Sequence, residues 1–297
     1  MSSTASTSNI VLTYMLLVVI WSTTPLAIVW SVTDLHIMWA LLLRFVLALL
    51  LSGSLLLLFR INLPCNRQAL HSYLAGAFSL IGSQIFTYAA TQYLSSGILA
   101  LMFGLAPIMA GLIGHFAFSQ RLHAVQWLGM CVAVSGLAVI CLSAGTGQHV
   151  QLTGIILMLF SVFFYSLSIF WVKKVNAQLD VMAQATGSIL VSTLLALLLL
   201  PFIWQYAPTQ LPSLKTMLSL IYTVVMASML AMYCYFKLVK NIQATTLSLT
   251  TVMTPLLALL LGALLNNEIP NAWVLLGAVL LLSGLLIYFM RMFGARV

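Results

Sequence analysis

One passage of this chain occurs twice, and that repetition limits the folds open to it more than any other feature. At an offset of 148 residues Leu105-Ala106-Pro107 falls on Met253-Thr254-Pro255, Gly114 on Gly262, Gly129 on Gly277, and Ser135-Gly136-Leu137 on Ser283-Gly284-Leu285. Each copy reads as an apolar helix broken by proline, a short polar elbow and a second apolar helix. The elbows are Ser119-Gln120-Arg121 and Asn267-Glu268-Ile269. Proline and glycine are scarce and have positional roles, so their agreement at one offset marks an internal duplication rather than apolar bias. The expected units are residues 1–148 and 149–297.

What surrounds the repeats decides their solvent. Hydrophobic residues make up 63% of the 297 and charged residues 5%, too little charge for a water-soluble surface. The fold class expected is therefore all-α and membrane-embedded. The net charge of +8 comes from eleven Lys and Arg scattered between apolar runs, which argues against a nucleic-acid patch and for topology signals. Cys65, Cys131, Cys141 and Cys234 show no metal or redox spacing, and free thiols are expected. The polar first nine residues carry no Lys or Arg, and no cleaved signal peptide is expected.

At about 20 apolar residues per crossing, ten spans are expected: Asn9 to Trp30, His36 to Phe59, Leu70 to Ala90, Ser95 to Phe118, Ala124 to Ser143, Leu152 to Val172, Val181 to Ile203, Leu214 to Phe236, Ala244 to Leu265 and Asn271 to Met290. With the N-terminus in the cytoplasm, Arg60, Arg67, Arg121, Lys173, Lys174, Lys237, Lys240, Arg291 and Arg296 fall inside, and Lys215 alone falls outside. Basic residues favour the cytoplasmic side, so both termini are expected there. Five spans per repeat is an odd number, which predicts that the second half inserts inverted relative to the first. Two inverted halves can exchange conformations and open a central site to either side. The loops leave no room for a soluble domain.

Polar side chains inside the spans recur at helical spacing. Gln84, Tyr88 and Thr91 form one such row, and Ser161, Tyr165 and Ser168 another; the eighth span stacks Tyr222, Met226, Met229 and Tyr233, and the ninth carries Thr246, Thr250 and Thr254. In the first span, Trp21-Ser22-Thr23-Thr24-Pro25 joins a proline to hydroxyls able to satisfy freed carbonyls. Such residues either wall a cavity for a small amphipathic solute or serve as helix-helix glue. Taken as a set supplied by both repeats, they are expected to wall a cavity.

Arg44 lies about eight residues into the second span, where a charge costs at least ~2.5 kcal/mol. It either grips a substrate carboxylate or snorkels outward, with Asp34 as a partner. Glu268, just before Pro270, reads as a cap at the start of the last span or as a proton-coupling group. His115 near the end of the fourth span is the other titratable candidate for coupling. Pro107 and Pro255 lie midway along their spans, as fixed kinks or as hinges for a gate. Gly129, Ala133, Gly136, Gly277 and Gly284 form close-packing faces, with a dimer contact among their uses.

Ten spans in about 300 residues, two inverted repeats, Trp21, Leu43-Arg44, Tyr88-Ala89-Ala90 and the two proline helices followed by Gly-rich spans resemble the EamA family of the drug/metabolite transporter superfamily. The resemblance implies a bacterial inner-membrane exporter with a central cavity between the halves and peripheral fifth and tenth spans. It places Trp21, Tyr88, Phe103, Tyr165 and Tyr235 near that cavity. The sequence departs from the family at Gln120, where an acidic residue is common, while Glu268 is kept.

The function expected is export of small amphipathic metabolites, foremost amino acids with apolar or aromatic side chains, by alternating access. The rival in the same class is efflux of flat organic cations such as methyl viologen, held by cation-π attraction. An enzyme would need paired carboxylates or a His/Asp cluster at membrane depth, and a channel a filter loop or charge ring; the sequence shows neither. No cofactor and no metal are expected. The partners are a small-molecule substrate and the lipid bilayer, with a monomer or homodimer as the assembly.

Overall fold

A computed structural model describes residues 7–119, 122–142, 150–242 and 250–294. These fold into helices throughout: α1 (Thr7–Ser31), α2 (Ile37–Leu58), α3 (Arg67–Ala77), α4 (Ser83–Ala90), α5 (Ser96–Phe103), α6 (Ala106–Phe118), α7 (Ala124–Leu142), α8 (Leu152–Val175), α9 (Val181–Leu198), α10 (Leu200–Ile203), α11 (Leu214–Tyr222), α12 (Ala231–Asn241), α13 (Thr250–Asn266) and α14 (Ala272–Gly294). Two π-helical segments, Phe78–Gly82 joining α3 to α4 and Thr223–Leu230 joining α11 to α12, and a 3-10 turn over Trp204–Tyr206 complete the set.

Among the described residues, eight helical stretches are long and apolar enough to cross a membrane. They coincide with the expected spans except the third and ninth. The third falls on α3, the first π segment and α4, where Arg67, Gln68, His71 and several hydroxyls dilute the apolar run. The ninth falls on α13, whose described part is 17 residues long; its expected start and Thr246 lie outside the described residues. Gln120, Arg121 and Arg296 lie outside them as well.

Helix ends follow local chemistry. Asn66 caps α3 by accepting from the Ala69 N–H at 2.8 Å, Asp180 caps α9 through Met182, and Asn271 accepts from the Val274 N–H at 2.9 Å in front of α14. The two elbows begin alike. Ser119 and Asn267, equivalent under the 148-residue offset, both take the left-handed conformation at φ 53°, which ends α6 and α13 at matching points.

The prolines are less alike than the sequence implies. The expected break occurs in the first copy, where Gly104 and Leu105 form a turn between α5 and α6 and Pro107 enters the first turn of α6. In the second copy α13 runs unbroken through Pro255. The difference lies one turn upstream, because the position equivalent to flexible Gly104 is Val252. Proline alone removes one backbone hydrogen bond; glycine beside it lets the chain turn. α1 likewise continues through Pro25, with the hydroxyls of Ser22, Thr23 and Thr24 folded back on Val18, Val19 and Ile20 carbonyls.

The tightest seam joins α7 to α14. Gly129 faces the backbone of Gly284 and Tyr288, Ala133 faces Gly284, and Gly136 faces Leu281 and Gly277, so the two helices run antiparallel. A methyl group on any of these glycines would meet backbone atoms of the other helix. The glycine faces thus cover one another within the chain. α5 meets α13 in the same antiparallel sense, Gly97 against Leu259 and Gly104 against Pro255. α1 packs on α13, α11 and α12, while α8 packs on α6, α4 and α3; α2 packs on α9. Gln68 donates to the Val175 carbonyl at 3.0 Å, and Thr216, 148 residues on, donates to the Trp30 carbonyl at 3.3 Å.

Candidate functional site

The polar row on α4 and the lone charge on α2 meet. Arg44 is 8% exposed, and its guanidinium donates to Gln84 Oε1 at 3.1 Å, to the Tyr88 hydroxyl at 3.4 Å and to Ser228 Oγ at 3.5 Å. Tyr88 is fully buried, with its ring centroid 6.0 Å from the guanidinium carbon. Every partner is neutral, and two of the three contacts are long for hydrogen bonds to a cation. Asp34, to which a snorkelling Arg44 would turn, instead accepts from the Ser213 N–H and the Thr216 hydroxyl. Hydrogen bonding from the Ser213 side chain first, then from Thr216 and the Ser213 N–H, holds the Asp34 carboxyl below the usual carboxylate range.

Ser228 sits in the second π segment, and its hydroxyl donates to the Thr223 carbonyl five residues back at 3.0 Å. π segments insert a residue and recur at functional sites. Here both flank the Arg44 region at equivalent places in the two halves, one leading into α4 and the other carrying Ser228. Sequence periodicity has no signature for such a segment, so Ser228 was not among the expected site residues. The same inserted residue overturns the expected stack on the eighth span: Tyr233 turns out 59% exposed, while Tyr222 bonds the Thr23 hydroxyl on α1.

An aromatic group adjoins the same segment. Trp21 lies 5.6 Å from Tyr235 between ring centroids, and both pack with Met226, Ala227 and Leu230 around Leu17, Ile20 and Cys234. A second ring pair joins α5 to α8, where Phe103 meets Tyr165 edge-on at 6.2 Å. Ser161 and Ser168 are helix glue instead: Ser161 bonds Ser83 and Thr87 of α4, and Ser168 donates to the Ala75 carbonyl of α3.

His115 and Glu268 lie apart from Arg44. His115, in the last turn of α6, stands edge-on to Trp127 at 5.6 Å and to Phe116 at 5.0 Å. Glu268 does cap a helix, but not the one expected. Its Oε2 accepts from the Ser96 hydroxyl at 2.7 Å and the Gly97 N–H at 3.3 Å, at the start of α5, while Asn271 serves α14. Its Oε1 accepts from Asn266 at 2.8 Å, and Asn266 in turn accepts from Trp30 Nε1 at 2.8 Å. A pocket of about 410 Å³ opens beside Glu268, and Thr91 of the expected polar row is in its lining.

Comparison with known proteins decides the family. The profile of the EamA-like transporter family matches residues 8–142 and again 152–290, most of the chain in two copies. The chain belongs to the EamA-like transporter family. Relatives of this EamA-like protein include the uncharacterized inner membrane transporter YedA of Escherichia coli K12, 25% identical over 89% of this chain and 85% of that one. A probable amino-acid metabolite efflux pump of Salmonella typhimurium is 27% identical over 73% of this chain and 74% of its own. A crystal structure at 16% identity aligns with a TM-score of 0.67 over 98% of this chain and all of its own, which shows a shared fold.

Proposed function

We propose that this EamA-like transporter exports small amphipathic metabolites, foremost amino acids with apolar or aromatic side chains, across a bacterial inner membrane. It works by alternating access between two inverted five-span repeats, residues 1–148 and 149–297, with both termini cytoplasmic. The inversion is supported by the antiparallel pairing of equivalent helices, α7 with α14 and α5 with α13. The equivalent contacts of Gln68 and Thr216, lying 148 residues apart, support it too. The orientation is supported by the basic residues, nine against Lys215 alone. Under it, the Glu268 end faces outward.

The observation that carries the substrate class is Arg44, a buried cation surrounded by neutral groups that hold it loosely. A planar guanidinium matches a carboxylate through two parallel hydrogen bonds, and a solute carboxylate would supply the charge the protein withholds. The name of the Salmonella relative, a probable amino-acid metabolite efflux pump, points the same way. Trp21, Tyr235, Phe103 and Tyr165 offer faces for the apolar part of the solute. Pro107, at the break between α5 and α6, and Pro255 facing Gly104 across the helix pair form the hinge. His115 and Glu268 are the groups to test for proton coupling.

Counterflow in proteoliposomes tests the reading. Vesicles preloaded with unlabelled phenylalanine should accumulate labelled phenylalanine by exchange, and an imposed pH gradient reveals coupling. Absence of exchange for phenylalanine, threonine and alanine together would remove the amino-acid class; inhibition by methyl viologen would move organic cations to the front.

A further inference from the structure

The pocket beside Glu268 has the chemistry of a second recognition site. Glu268 accepts three hydrogen bonds, from Ser96, Gly97 and Asn266, all from neutral donors. Among the described residues, no Lys or Arg pairs with it. Lys215, the cation at this end, lies over the Trp30 ring at 4.3 Å from the centroid. The carboxylate is pinned rather than loose. Gly262 packs so closely on it that an added methyl group would strike Oε2. A carboxylate offers about four lone-pair directions, and three are filled, which leaves room for one more donor from the pocket.

The pocket's volume of about 410 Å³ suits a molecule of amino-acid size, and its walls divide by polarity. Thr91, Asn267 and Glu268 provide polar groups; Leu94, Ile98 and Leu259 provide apolar surface. Thr91 also connects it to the Arg44 site. Gln84, Tyr88 and Thr91 follow one face of α4, with Gln84 and Tyr88 on Arg44 and Thr91 in the pocket wall. Tyr88 and Thr91 are three residues apart, a rise of about 4.5 Å along a helix. Arg44 therefore touches this row at Gln84 and Tyr88, and the pocket that holds Glu268 meets it at Thr91.

We propose that the Glu268 pocket binds the ammonium group of a small amphipathic amine or amino acid. This rests on the reading of Arg44 as the carboxylate site and adds the other half of a zwitterion's recognition. Glu268 supplies the opposite charge, Asn267 and Thr91 flank it, and the apolar wall takes the side chain.

The test separates the two charges with two probes on the full-length protein in lipid nanodiscs, read by titration calorimetry. 2-Phenylethylamine carries the ammonium alone, and 3-phenylpropionate the carboxylate alone. Glu268→Gln should weaken the amine about tenfold and leave the acid unchanged, and Arg44→Leu should do the reverse. Ser96→Ala, which unties the carboxylate from α5 but keeps its charge, should retain amine binding, whereas a purely structural Glu268 would suffer from both changes. Asn267→Asp adds a second carboxylate to the pocket wall and should tighten the amine several-fold, a gain that misfolding cannot mimic. Equal amine binding by wild type and Glu268→Gln, no amine binding by wild type, or no gain with Asn267→Asp overturns the proposal. Unchanged acid binding in Arg44→Leu overturns the Arg44 reading instead.

Discussion

The α7–α14 seam and the Arg44 region are built on opposite principles. The seam is two regular helices whose glycines bring backbone against backbone, with no polar side chain needed to hold them. Around Arg44 both flanking strands of helix are interrupted by π segments, the partners are polar, and a charge lies buried with long hydrogen bonds. Close packing without a polar demand is rigid, since any added volume must move a main chain. A loosely satisfied charge is poised for something not yet there. The comparison teaches where to look for scaffold and where for chemistry, and the two regions should respond to mutation in contrasting ways.

The largest effect belongs to the seam. Gly136→Leu should destabilise the fold by more than about 3 kcal/mol, because overpacking here meets backbone rather than a movable side chain. Loss of the monodisperse peak on gel filtration and a lower melting temperature in detergent would register it; a Leu variant that melts like wild type would remove the contrast. Arg44→Leu should do the opposite, keeping or raising the melting temperature as a buried charge is removed, while carboxylate binding falls about 10- to 100-fold.

Ser228→Ala sharpens the comparison inside the polar region. It removes one long contact to Arg44 and the bond to the Thr223 carbonyl, and should weaken carboxylate binding about threefold with little change in stability. A loss as large as that of Arg44→Leu would show that the π segment, not the charge, organises the site. The smallest effect lies at the bundle end. Hydrogen bonds hold the Asp34 carboxyl below its usual range, so its folded-state pKa is below the unfolded one. The stabilisation is present above the ordinary carboxylate pKa of about 4 and is lost as pH falls through Asp34's own lower value. Asp34→Asn should melt slightly lower than wild type at pH 7, with the gap closing on acidification; a gap that widens toward low pH would contradict the sign.

Arg44 and the Gln84-Tyr88 row were each legible as candidates, because a lone charge in an apolar run and a polar row at helical spacing each imply a buried face, but their meeting was not. Both lie where helices are regular, Gln84 and Tyr88 following the first π segment and not spanning it. Ser228 and the outward turn of Tyr233 were not legible, since one inserted residue shifts the phase and leaves no mark in composition. Pro107 and Pro255 looked equivalent by offset, yet the residue one turn upstream, Gly104 or Val252, decided which helix would break. Glu268 was read as a cap from its place before Pro270, but the helix it caps is α5, far away in sequence. Local spacing cannot report a partner chosen by tertiary packing.

The central claim is that Arg44 holds the carboxylate of the transported solute, and phenylalanine counterflow with three proteins tests it most directly. Wild type, Arg44→Leu and Arg44→Lys are reconstituted at equal density, and exchange of labelled phenylalanine is followed against the melting temperature of each. The account predicts background exchange for Leu with an intact fold, and partial exchange for Lys, which keeps the charge but loses the paired hydrogen bonds. Wild-type rates in the Leu variant would contradict it.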